Sequence, residues 1–129
     1  MKEVNEGTNE LSRLVIGAAL EVHSALGPGF LESTYENALG HELQVRGIPF
    51  VRQVAVDIGY KGVAVGQQRL DFLVGQRLIV ELKAIDAILP IYLAQLRSYL
   101  VAMNLELGLL INFNAVHLKS AIKRVVNPS

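Results

Sequence analysis

The sequence predicts an α/β fold, a mixed central β-sheet flanked by α-helices. Three observations carry that expectation. Apolar residues recur at helical spacing over the first part of the chain. The period changes to strand-like alternation after Pro49. Near the end, residues 107–113 form an almost unbroken apolar run, as a strand covered on both faces requires.

The first helix is expected over residues 10–26, where Leu11, Leu14, Val15, Ala18, Val22, Ala25 and Leu26 line one face. Gly27-Pro28-Gly29 breaks it. A second helix over 31–46 places Tyr35, Ala38, Leu39 and Leu43 along one stripe, with Gly47 as its stop. Residues 50–60 alternate as a strand, and Lys61-Gly62 is a turn. Strands over 69–74 and 78–84 follow, separated by Gly75-Gln76 at the spacing of a tight hairpin. Pro90 opens a third helix that continues over 91–104. After the 107–113 strand, a last strand is expected over 117–126, with Lys119, Lys123 and Arg124 keeping one side wet. No repeat, low-complexity tract or linker interrupts the series, so residues 1–129 read as a single domain.

Composition narrows the function classes. With 129 residues, 51% hydrophobic and 19% charged, the chain can bury one core and is too apolar for disorder. Every apolar run falls short of the roughly 20 residues that span a bilayer, so no membrane partner is expected. The polar start MKEVNEGTNE has no signal-peptide pattern, and the absence of cysteine removes disulfides and thiolate metal sites; a cytoplasmic location is the expectation. The formal net charge is zero, but residues 1–48 hold three basic groups against seven glutamates and residues 49–129 hold nine against five acids. The second half is the phosphate-facing candidate. The high apolar fraction fits a homodimer or a partner protein.

The segment from Leu78 to Ala84 carries two opposite charges inside an otherwise core-grade strand. Glu81 and Lys83 project from one face, Val80 and Leu82 from the other. Taken alone, this E-x-K reads as a neighbouring ion pair on a half-exposed face. Asp71 on the preceding strand changes that reading, because a hairpin through Gly75-Gln76 returns Glu81 beside it. Two carboxylates near one ammonium suit a hard cation such as magnesium. Asp71 also reads as a turn-proximal carboxylate or a partner of Arg69.

Further candidates lie on the helices. Glu32 falls in the first turn of the second helix, where any glutamate favours the macrodipole, and Tyr35 shares its face. His23 reads as a ligand, a phosphate contact or a partly buried structural histidine. Gln95 and Tyr99, four residues apart on the third helix, offer neutral groups for phosphate or for holding Lys83, or form the edge of a core. There is no nucleophile elbow, Gly-rich phosphate loop or zinc-spaced histidine pair.

These residues together resemble the GxxExxY family of the PD-(D/E)XK nuclease superfamily. The naming motif stands as Gly29-Phe-Leu-Glu32-Ser-Thr-Tyr35, preceded by Glu21-Val-His23-Ser-Ala-Leu-Gly27-Pro28. The metal motif is matched by Asp71 and then Glu81-Leu82-Lys83, and Gln95-Leu-Arg-Ser-Tyr99 is similar to the Q-x-x-x-Y element of exonucleases related to recombination and CRISPR systems. The resemblance covers residues 11–126. It implies a nuclease-like sheet in which Asp71, Glu81 and the backbone carbonyl of Leu82 ligate Mg2+ or Mn2+, with Glu32 joining directly or through water. Glu32, Asp71, Glu81 and Lys83 would be catalytic, Lys83 orienting the attacking water. His23, Tyr35, Gln95 and Tyr99 would bind substrate or support the site. The implied activity is metal-dependent hydrolysis of DNA. The alternative is a nucleic-acid-binding or assembly module that keeps the fold without cleaving.

Overall fold

The computed structural model describes residues 3–129. Helix α1 (Glu6–Leu26) and helix α2 (Glu32–Val45) are followed by strands β1 (Phe50–Tyr60), β2 (Val63–Val74) and β3 (Leu78–Lys83). Helix α3 (Pro90–Met103), strand β4 (Leu107–Asn112), a short 3-10 helix (Leu118–Ala121) and strand β5 (Ile122–Val126) complete the chain. The five strands form one mixed sheet in the order β1-β2-β3-β4-β5. Only β3 and β4 run parallel, because α3 connects them as a crossover; the other neighbours are antiparallel.

The helices cover opposite faces. Val15, Ala18, Val22, Tyr35, Leu39 and Leu43 of α1 and α2 pack on Phe72, Leu78, Val80, Leu82, Leu109 and Ile111. On the other face Leu96, Tyr99 and Leu100 of α3 pack on Leu70, Leu73, Ile79 and Leu110. The middle strands β3 and β4 are therefore apolar on both sides, which explains the run at 107–113. Gly108 lets α3 approach closely: a Cβ there would lie 2.8 Å from Leu96 Cδ1.

Three boundaries differ from the sequence expectation by more than one residue. Helix α1 starts at Glu6, not residue 10, because the Asn5 side chain accepts the Gly7 N–H at 2.8 Å and caps it. Strand β2 starts at Val63, not residue 69, since Lys61 (φ 50°) and Gly62 (φ 79°) make a two-residue turn that pairs Tyr60 with Val63. The strand expected over 117–126 is split: Leu118–Ala121 forms the 3-10 turn, burying Leu118 and Ala121, and only Ile122–Val126 pairs with β4. The expected turn at Gly75-Gln76 is present, with φ 58° and 61° and Arg77 N–H donating to the Val74 carbonyl at 3.1 Å.

Candidate metal and active site

Backbone pairing between β2 and β3 runs from Val74↔Leu78 to Phe72↔Val80 and stops. The next two residues, Asp71 and Glu81, replace the ladder with their side chains. The Asp71 N–H donates to Glu81 Oε2 at 2.7 Å, and the Leu82 N–H donates to Asp71 Oδ2 at 2.8 Å. Each carboxylate thus bridges to the other strand and keeps a second oxygen that takes no protein N–H among the described residues.

Glu81 is only 7% exposed. Burial raises its carboxyl to about 8, with the Asp71 charge adding to the effect and the Asp71 N–H and Lys83 opposing it. Burial also raises Asp71, against the pull of the Leu82 N–H, while the Glu36 charge adds to the rise. Glu32, exposed as a residue, has its carboxyl raised first by partial burial of the group and next by Asp71. Tyr99 is raised by burial and then by the Glu81 and Asp71 charges, opposed by the nearby Gln95 side chain. Glu32 from α2 and Tyr99 from α3 therefore feel the carboxylate pair from opposite faces of the sheet.

Lys83 forms no ion pair among the described residues; its Nζ lies 4.7 Å above the Tyr92 ring, near the start of α3. The neighbouring Glu81–Lys83 ion pair considered from sequence is absent there. His23 and Tyr35 are held differently. His23 Nε2 donates to the Ala115 carbonyl at 2.7 Å, and the buried Tyr35 ring stacks on Phe113 at 4.7 Å. The Tyr35 hydroxyl donates to the Gly27 carbonyl at 2.6 Å and accepts the Phe30 N–H at 3.2 Å, so it ties down the loop that delivers Glu32.

Sequence reasoning missed several neighbours. Glu36 stands one turn after Glu32, and that i,i+4 spacing was the available signal. Arg52 and Gln53 bind Glu36, Gln68 Oε1 accepts from the Tyr99 hydroxyl at 3.4 Å, and Tyr92 carries Lys83. Asn112, opposite Lys83 and 4% exposed, brackets Ile85 through its N–H at 3.1 Å and its carbonyl at 2.9 Å, fixing the chain as it leaves β3.

Asp71, Glu81, the Leu82 carbonyl and Glu32 offer oxygen donors alone, which fits magnesium or manganese and excludes a soft-metal site. No group of three His, Asp or Glu side chains closes into a metal cluster among the described residues. The fit thus rests on a two-carboxylate set of the sort magnesium uses, completed by water and phosphate. The family model of the PD-(D/E)XK nuclease superfamily matches residues 9–125. The chain belongs to the PD-(D/E)XK nuclease superfamily. Its five-stranded mixed sheet with three α-helices agrees with that fold. No curated protein and no solved structure matches the chain. No helix among the described residues is long and apolar enough to cross a membrane.

Proposed function

We propose that this PD-(D/E)XK chain is a metal-dependent nuclease that hydrolyses phosphodiester bonds of DNA, using magnesium or manganese. The observation that supports it most is the gap between β2 and β3, where Asp71 and Glu81 supplant the backbone ladder with raised carboxyls. Such groups favour a nearby cation, which removes their mutual repulsion. Asp71, Glu81 and the Leu82 carbonyl would hold it, with Glu32 joining through water. A bound ion there supplies Lewis-acid polarisation of a phosphoryl oxygen and an acidified water.

The chain's own groups do the rest. Lys83, with no close ion pair among the described residues and backed by Tyr92, directs its ammonium at the charge that develops on the phosphate and orients the attacking water. Tyr99 and Gln95 approach from α3 as neutral donors, able to contact phosphate without competing for the cation. Tyr35 holds the α1–α2 loop in place, while His23 ties the end of α1 to the segment after β4. The Gly29, Glu32 and Tyr35 pattern supports a place in the GxxExxY branch, and we read the chain as one cytoplasmic domain whose small surface is extended by a second copy or a partner protein.

The test is a single-turnover assay with manganese on labelled single- and double-stranded DNA and on RNA. Wild type should cleave DNA, Asp71→Asn should not, and Lys83→Ala should lose about 100-fold or more in rate with little change in metal affinity. Cleavage that persists in both variants would mark a contaminant and end the proposal. Binding of DNA without cleavage by wild type would instead favour the non-catalytic module.

A further inference from the structure

Gln53 stands within β1 at φ 54°, a left-handed backbone that a non-glycine strand residue adopts only when its surroundings impose it. The β1–β2 ladder pairs Arg52↔Phe72 and resumes at Val54↔Leu70, so the residue facing Gln53 is Asp71. At this level both strands exchange faces. Phe50, Phe72 and Val74 pack with α1 and α2, while Val54, Val56 and Leu70 pack with α3. Plain alternation would put all six on one face, since each pair along a strand is separated by an even number of residues. The hairpin therefore turns over at Gln53 and Asp71.

Helix α2 holds this turn. Gln53 Nε2 donates to Glu36 Oε1 at 3.0 Å and Oε2 at 3.1 Å. Arg52 Nε and Nη2 donate to Glu36 Oε2 at 3.1 and 2.7 Å, and Nη2 also reaches Asn37 Oδ1 at 2.7 Å. Arg69 Nη1 donates to the Gln53 carbonyl at 3.0 Å. Gly40, one turn beyond Glu36, leaves room for the guanidinium: a Cβ there would touch Arg52 Cδ at 3.4 Å and Nη1 at 3.5 Å.

We propose that Glu36, Arg52 and Gln53 form a clamp that fixes the left-handed turn of β1 and so aims Asp71 into the gap between β2 and β3. They are positioning residues. The clamp reads out in the metal-free protein, and its consequence for cation binding rests on the nuclease reading above.

The first measurement is amide hydrogen exchange in the metal-free protein. The Leu82 N–H is protected by Asp71 Oδ2, so Arg52→Ala should speed its exchange by about tenfold or more while Leu109 in β4 stays protected. The second is manganese calorimetry. Removing a cation beside an acidic site would tighten manganese binding by electrostatics alone; loss of aim should weaken it by about 10- to 100-fold. Glu36→Gln, isosteric, is the milder second variant. Gln53→Gly and Gln53→Val both lose the amide, but only glycine keeps the left-handed backbone, so Val should be the more damaging. Unchanged Leu82 exchange in folded Arg52→Ala, or tighter manganese binding by it, overturns the clamp. Absence of manganese binding by wild type overturns the metal site, and Leu82 exchange then still decides the clamp.

Discussion

Glu81 holds its proton more tightly in the folded chain than in the unfolded one, because folding takes the carboxyl out of water and sets it beside Asp71. The stability this proton contributes is fully present below the ordinary carboxyl value of 4.5 and is lost as pH rises through about 8. Each tenfold change in proton affinity is worth about 1.4 kcal/mol, so the effect amounts to a few kcal/mol at most. The metal-free protein should therefore melt at a lower temperature near the upper end of that window than near the lower end, and Glu81→Gln should flatten the fall. A wild-type melting temperature that rises across the window would contradict the burial argument. Asp71, Glu81 and Lys83 were legible in the sequence because charges inside core-grade strands need partners. Glu36 left only its i,i+4 spacing from Glu32 as a signal, and Arg52 and Gln53 left none. They are ordinary surface residue types, and only tertiary packing of α2 on β1 brings them together.

At the scale of elements, the α1–α2 loop depends on one hydroxyl. Tyr35→Phe leaves the stacking on Phe113 but removes both bonds to the loop, at Gly27 and Phe30. It should cost about 1–2 kcal/mol, checked by denaturant unfolding; no loss would mean that the loop is held elsewhere. Gly75→Ala should cost more than about 1 kcal/mol, since φ is 58° and a Cβ would lie 2.6 Å from Leu11 Cδ1. Equal stability by the same measurement would show that the α1 contact yields freely. The helices were legible because each buries one face. The first half of β2 was not, because residues 63–69 are exposed on both faces and show no alternation. The 3-10 turn was hidden for another reason: Leu118 and Ala121 look apolar enough for a strand, yet three-residue spacing buries both on one side.

Across the whole molecule, the connections follow from the sheet. A parallel β3–β4 pair needs a crossover, α3 supplies it, and the same helix brings Tyr92 to Lys83 and Tyr99 near Glu81 on β3. The α/β class and the β2–β3 hairpin were readable from periodicity and turn spacing, whereas the parallel β3–β4 pairing across α3 and the end of the β2–β3 ladder at Phe72↔Val80 were not, since neither leaves a local sequence pattern. The zero net charge offers no general attraction for a polyanion, so the proposed nuclease activity depends on a local cation rather than on the overall field. The proposed activity requires that Asp71 and Glu81 hold that cation. Calorimetric titration of wild type and Asp71→Asn with manganese tests this most directly. Wild type should bind manganese, with affinity increasing as pH rises toward about 8 and the Glu81 proton is displaced, and Asp71→Asn should bind at least about tenfold more weakly. Equal binding by the two proteins, or none by wild type, would contradict the account.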